Sequence, residues 1–115
     1  MIVSTRFPYL EIQVTVRGKT VQDWAYIDTG FDGYVVVPHN QVQVLGPGDY
    51  VSLWELGDAS LAPAEEYLGQ VRLMGTATDL LARVTALGDE YLIGRALLDR
   101  WRIIFDRGQG VEVEF

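Results

Sequence analysis

The chain of 115 residues contains no cysteine and a single histidine, His39. Without thiols it can form no disulfide bond, no thiolate zinc site and no cysteine nucleophile. One imidazole also makes a poor transition-metal site, so we expect His39, which follows Pro38, to be a surface residue and not a ligand. We therefore predict neither a metal site nor a cofactor.

Long apolar runs and an excess of basic residues are also missing. No segment approaches the roughly 20 apolar residues of a membrane span, and Met1 to Pro8 lacks the charged and apolar regions of a signal peptide. We expect a cytoplasmic protein with no membrane partner. Sixteen acidic residues against nine Lys and Arg give a formal charge of −7, which argues against a nucleic-acid partner.

What the sequence does contain is β patterning in a chain long enough for one domain, residues 1–115. Hydrophobic residues make up 49% of it. Polar and apolar residues alternate from Tyr9 to Val16, a turn is predicted at 17–19, and Val21 to Ile27 returns as a second strand. Other predicted strands are Tyr34–Val37, Tyr50–Leu56, Tyr67–Met74, Tyr91–Ile93, Ile103–Asp106 and Val111–Phe115. Asp79 to Leu87 fits a helix or a strand, and Arg95 to Trp101 fits one short helix.

A carboxylate, a hydroxyl and a glycine, Asp28-Thr29-Gly30, follow the second of these strands directly. The apolar run Trp24 to Ile27 indicates a strand covered on both faces, and an acid beside such a strand needs partners. Asp-Thr-Gly by itself is a common turn. The apolar runs on both sides favour an active-site loop.

A second element, Leu92-Ile93-Gly94-Arg95, makes the pattern more specific. A hydrophobic strand leading into Asp-Thr-Gly, with Asp32 two residues later and an apolar-apolar-Gly-Arg element before a short helix, resembles the retropepsin-like aspartic proteases. The resemblance spans about residues 27–101. It implies a mainly β fold, a closed six-stranded acid protease barrel with one short C-terminal helix, and an aspartic endopeptidase acting on peptide or protein substrates.

The chemistry of such an enzyme needs two carboxylates that share one proton, one activating water and the other protonating the carbonyl oxygen. The chain has a single Asp-Thr/Ser-Gly. The second carboxylate must then come from another copy, so a homodimer with Asp28 facing Asp28 is predicted. By resemblance Thr29 braces the paired loops and Gly30 offers a carbonyl to the substrate.

The resemblance also implies supporting residues. Trp54, Leu56, Gly57 and Asp58 would belong to a flap over the substrate, and an ordinary surface hairpin is the alternative. Asp32 and Arg95 would form a buried ion pair, and a surface contact is the alternative. Phe31 replaces the small residue usual in viral enzymes, which implies a different pocket shape.

The sequence is also compatible with functions other than a peptidase. A catalytically silent dimeric domain of the same fold that binds peptide is the main alternative. Pairing Ser52 or Ser60 with His39 lacks the Gly-x-Ser-x-Gly elbow of a serine hydrolase. The remaining acids are interpreted as a solvated surface, with calcium binding at a turn as an alternative; they are Asp58, Glu65, Glu66, Asp89 and Glu90.

Overall fold

The alternating patterns form ten strands in the computed structural model, which describes residues 1–115. The strands are β1 (Ile2–Ser4), β2 (Tyr9–Val16), β3 (Lys19–Ile27), β4 (Val35–Val37), β5 (Tyr50–Glu55), β6 (Leu61–Leu73), β7 (Leu80–Ala86), β8 (Leu92–Ile93), β9 (Arg102–Asp106) and β10 (Gly110–Glu114). Two single-turn helices, α1 (Val42–Leu45) and α2 (Arg95–Leu98), and a 3-10 turn at His39–Gln41 complete the fold. Neither helix has the length or apolar character needed to cross a membrane.

Six strands close into a barrel, which confirms the predicted fold class. They are hydrogen-bonded in the order β2, β3, β8, β4, β7, β6, and β6 pairs with β2 again to close the ring. Strand β5 lies outside the ring and pairs with β6 alone. Closure removes the free edges of the sheet, and the excursion of β5 leaves a hairpin that projects from the barrel.

The barrel interior is filled by side chains that alternate along the strands. Leu10, Ile12, Val14 and Val16 of β2 are all buried, together with the apolar residues of β4, β7 and β8 that face them. Burial of this apolar surface is the main stabilising contribution to the fold. The segment that fitted either helix or strand is strand β7, because it pairs with β4 on one edge and β6 on the other.

A separate three-stranded sheet combines both ends of the chain in the order β1, β10, β9. Strands β9 and β10 confirm the last two predicted strands, whereas β1 was not predicted. Residues Ile2 to Ser4 pair with Val111 to Val113, and β9 pairs with the other edge of β10. Strand β10 therefore has no free edge for another chain.

The structure differs from the sequence predictions in three further places. Strand β3 is covered on one face only, since Tyr26 is 38% exposed between the buried Ala25 and Ile27. Strand β6 begins at Leu61, six residues before the predicted Tyr67, because β5 pairs with its first half. The helix α1 and the preceding 3-10 turn were not predicted, and their mixed polar and apolar residues show no periodicity.

Candidate active site

Asp28 lies at the end of β3, where two parallel strands stop side by side. Strand β3 pairs with β8 through Tyr26 opposite Leu92 and Ile27 opposite Ile93. The Asp28 backbone N–H continues this pairing, donating to the Ile93 carbonyl oxygen at 3.0 Å. The backbone of the acid is therefore fixed by the barrel itself.

The Asp28 side chain is half-buried and has one oxygen engaged. Its Oδ1 accepts a hydrogen bond from the Gly30 backbone N–H at 3.0 Å. No fully buried side-chain oxygen or nitrogen lacks a partner, so Oδ2, which forms no hydrogen bond within the chain, is open to solvent. Thr29 is exposed, and its hydroxyl also forms no hydrogen bond within the chain. The loop thus presents a carboxylate oxygen and a hydroxyl outward.

Gly94 seals this loop against the start of α2. Its N–H donates to the Tyr34 carbonyl at 2.9 Å, and the next N–H, of Arg95, donates to the Phe31 carbonyl at 2.9 Å. A Cβ at Gly94 would stand 2.4 Å from the Gly33 carbonyl oxygen and 2.8 Å from that of Phe31. Position 94 of the apolar-apolar-Gly element must therefore be glycine, because two backbone segments approach too closely there for any side chain.

A cleft of about 460 Å³ adjoins the loop on one side. The loop contributes Phe31 and Asp32 to it, and β5 contributes Ser52 and Trp54. The rings of Phe31 and Trp54 pack at 5.6 Å between centroids with an interplanar angle of 59°. This contact joins the β5–β6 hairpin to the candidate active-site loop.

The residues predicted for a flap occupy this hairpin, which we call the flap hairpin (residues 50–66). Trp54 lies in the cleft wall, whereas Leu56, Gly57 and Asp58 lie at the exposed tip. At the tip, Asp58 Oδ1 accepts hydrogen bonds from the Ser60 hydroxyl and backbone N–H, which hold the pKa of Asp58 below its usual range. The hairpin is at the predicted place, and only Trp54 among the four touches the cleft.

The predicted ion pair between Asp32 and Arg95 is not formed. Arg95 pairs with Asp99 one helical turn ahead, with Nη2 at 3.1 Å from Oδ2, and both side chains are more than half exposed. Asp32 is exposed at the cleft and has no cationic partner. The i,i+4 spacing within α2 offered Arg95 a nearer carboxylate than the loop did.

Glu66, interpreted from the sequence as a surface acid, is 1% exposed in the floor of the cleft. Its carboxylate accepts hydrogen bonds from Thr85, Trp54 and Ser52. The sequence did contain one indication that Glu66 is buried. Glu66 is in phase with Ala62 and Ala64, so it belongs to the face of β6 that carries small residues. By contrast, His39 is exposed, as predicted.

A second concavity of about 390 Å³ lies next to Thr29, on the side of α2 and β9. We call it the Thr29 groove. Its remaining lining combines the Arg95–Asp99 ion pair with five apolar residues, Ile27, Leu98, Trp101, Ile103 and Phe105. Nowhere in the structure do three or more His, Asp or Glu side chains gather in a way that could bind a metal ion.

No protein-family model and no curated protein matches the chain. Among solved structures it is similar to a retropepsin-like aspartic protease from Rickettsia conorii, with a TM-score of 0.63, 20% identity, and coverage of 96% of this chain and 97% of that one. The retroviral protease-like domain of Ddi1 from Leishmania major aligns at a TM-score of 0.48 and 17% identity over 93% of this chain and 94% of that one. With the closed barrel and the similarity to the Rickettsia conorii protease, the chain has the fold of the retropepsin-like aspartic proteases.

Proposed function

We propose that the chain is an aspartic endopeptidase whose active site is completed by a second copy of itself. The observation that carries the proposal is the Asp28 loop: a half-buried carboxylate fixed by β8, with Oδ2 and the Thr29 hydroxyl left without partners in the chain. Here they face outward, where a second Asp28 loop can meet them.

The proposed chemistry uses the two Asp28 carboxylates as a pair. Two carboxylates in contact cannot both ionise, so one holds a proton while the other accepts one from a bound water. That water attacks the peptide carbon, and the protonated carboxyl donates to the carbonyl oxygen. The Gly30 N–H keeps each Oδ1 in place, so that each Oδ2 is free for the shared proton and water.

A dimer of this kind must bury the surface next to Thr29. Any two-fold axis that brings two Asp28 side chains together passes beside their loops, and the Thr29 groove lies there. Exchange of terminal strands through β10 would require breaking its pairing with β1 or β9. We therefore propose an interface built from the groove and the exposed face of the β1–β10–β9 sheet.

The direct test is the Asp28→Asn variant, which keeps the size and hydrogen-bond reach of the side chain and removes its charge. Cleavage of a peptide library should fall by about a thousandfold or more. Sedimentation should show the same dimer as in the wild type. Retained cleavage by this variant would rule out the proposed mechanism.

A catalytically silent domain that binds extended peptides is the second candidate. The observation in its favour is the contact between Phe31 and Trp54, which places two large rings where a substrate side chain would otherwise lie. A statine-type transition-state mimic separates the two functions. An aspartic peptidase binds it tightly in a manner that depends on Asp28, whereas a silent domain binds it no better than ordinary peptide.

A further inference from the structure

Glu66 is an acidic side chain of the cleft that the proposed chemistry does not use, and it is buried, whereas Asp32 and Arg83 of the same cleft are exposed. It lies in β6 between Tyr50 of β5 and Thr85 of β7. None of the ion pairs in the structure involves it. Arg83 lines the same cleft, but its guanidinium lies over the Tyr50 ring. A carboxylate that is 1% exposed and forms no ion pair needs other partners to be tolerated.

Those partners are three neutral donors drawn from two neighbouring strands. The Thr85 hydroxyl donates to Oε1 at 2.6 Å, the Trp54 indole N–H donates to Oε2 at 2.8 Å, and the Ser52 hydroxyl donates to the same Oε2. The indole N–H also lies 3.0 Å from the Ser52 hydroxyl oxygen. The Glu66 carboxylate thus accepts hydrogen bonds from one side chain of β7 and two side chains of β5.

The direction of the Trp54 ring follows from this network. Indole has a single polar hydrogen and accepts nothing, so a bond to Glu66 fixes which edge of the ring faces the floor of the cleft. The same ring packs against Phe31, with 5.6 Å between the ring centroids. The backbone N–H of Phe31 donates to the Asp28 carbonyl at 3.2 Å, which makes Phe31 part of the candidate catalytic loop.

We infer that Glu66 is a positioning residue of the proposed peptidase, which holds Trp54 against Phe31 and so fixes the flap hairpin relative to the Asp28 loop. Glu66 itself is buried under Trp54 and reaches no substrate. Its effect is on the width of the cleft between the hairpin and the loop. This inference rests on the proposed function for its kinetic consequences and on the structure alone for the placement of Trp54.

Two substitutions at Glu66 separate positioning from simple packing. Glu66→Gln keeps a carbonyl oxygen for Trp54 and Ser52, and its amide can donate to the Thr85 hydroxyl, which accepts as readily as it donates. Glu66→Leu has nearly the same volume and no acceptor. We expect the glutamine variant to behave as the wild type and the leucine variant to release Trp54.

The first measurement follows the indole N–H resonances of the full chain by NMR, with Trp54→Phe to assign the Trp54 signal. In Glu66→Leu this signal should shift and exchange faster with solvent, while those of Trp24 and Trp101 stay in place. In Glu66→Gln the Trp54 signal should stay at its wild-type position. Glu90→Leu, the same change at an exposed turn, should leave all three signals unmoved.

The second measurement is peptide cleavage. Glu66→Leu should raise KM by about tenfold with kcat within about threefold, because a misplaced hairpin weakens substrate binding more than it alters the paired carboxylates. An unmoved Trp54 resonance in folded Glu66→Leu, or an unchanged KM, would overturn the inference. If Glu66→Leu does not fold, Ser52→Ala replaces it, with a smaller shift of the same Trp54 signal expected.

The two measurements also separate this inference from the proposed function. If the wild-type chain cleaves no peptide, the proposed peptidase function is wrong. The NMR experiment needs no substrate, so it still decides whether Glu66 places Trp54. If cleavage depends on Asp28 but the Trp54 signal does not respond to substitution of Glu66, the positioning role is wrong and the proposed peptidase function stands.

Discussion

At the residue scale, the candidate site depends on a few positions where one atom decides what fits. Gly94 is the clearest, because the carbonyls of Gly33 and Phe31 occupy the space that any side chain would need. The same contacts hold the residues after Asp28 against the start of α2. The glycine of the second motif is therefore a structural requirement of the loop that carries the acid.

Gly94→Ala should destabilise the fold by roughly 2 to 3 kcal/mol, because backbone carbonyls cannot move aside as a flexible side chain would. Urea unfolding measures this change. Gly57→Ala is the control for stability, since a Cβ there meets nothing within 4 Å. Equal midpoints for the two variants would show that the loop adapts to the added methyl.

Sequence patterns drew attention to residues whose placement depends on the backbone and missed one whose burial depends on side chains of distant strands. Asp28, Thr29 and Gly94 stood out because an acid and a glycine interrupt apolar strands. Glu66 looked like a surface acid because its donors lie on β5 and β7, up to 19 positions away. The Asp32–Arg95 pair was wrong because Asp99 lies closer to Arg95 along α2.

At the element scale, the Asp49 carboxylate links the base of the flap hairpin to the barrel. Asp49 Oδ2 accepts a hydrogen bond from the Leu68 backbone N–H at 2.7 Å, and its Oδ1 pairs with Arg17 of the β2–β3 turn. These bonds lower the pKa of Asp49, the Leu68 N–H having the larger effect. One side chain thus links the start of β5, the middle of β6 and a distant turn.

Asp49→Asn should lower the melting temperature at pH 7, and the difference should shrink in acid. A carboxyl whose folded pKa is depressed stabilises the fold above its ordinary value of 3.8 and loses this effect as the pH falls through the folded pKa. Melting curves from about pH 7 down to about pH 2 measure it. Asp89→Asn, at an exposed turn without hydrogen bonds to its side chain, is the control. A difference that is constant over this range would contradict the assignment.

The tip of the hairpin contains a residue with an unfavourable backbone conformation. Ala59 has a φ of 66°, in the left-handed region, where a Cβ is disfavoured. Ala59→Gly should therefore stabilise the chain by about 0.5 to 1 kcal/mol in urea unfolding. Ala77→Gly, at an exposed position without positive φ, should be neutral or destabilising. A destabilised Ala59→Gly variant would contradict this expectation.

Element boundaries were predictable where buried and partly exposed residues alternate without a break along the whole strand. Strand β2 was predicted to the residue because its alternation runs unbroken from Tyr9 to Val16. Strand β6 was not, because it pairs with β5 first and with β7 and β2 later, so its burial pattern changes along its length. Strand β1 has three residues, too few for a periodic pattern.

At the scale of the whole molecule, the proposed function requires a surface that a single chain leaves exposed. Phe105 is 47% exposed beside the Thr29 groove, and its ring packs edge-on against Phe7 at 5.8 Å. Large aromatic side chains of this kind contribute strongly to protein interfaces. Phe105 and Thr29 both line the Thr29 groove, so this aromatic surface lies on the same side of the molecule as the Thr29 hydroxyl.

Phe105→Glu should raise the dissociation constant of the proposed dimer by about tenfold or more, because it replaces a large apolar ring at the interface with a charge. Sedimentation equilibrium measures the constant. Leu81→Glu is the matched control, since Leu81 is 80% exposed on β7, away from the groove. Equal dissociation constants for the two variants would exclude the Thr29 groove from the interface.

The most direct test of the central proposal is the cleavage activity of wild-type chains mixed with Asp28→Asn chains and allowed to exchange subunits. If every active site needs Asp28 from two copies, activity follows the square of the wild-type fraction, and an equal mixture keeps about a quarter of it. An activity that falls in direct proportion, with about half remaining, would mean that each chain acts alone and would contradict the account.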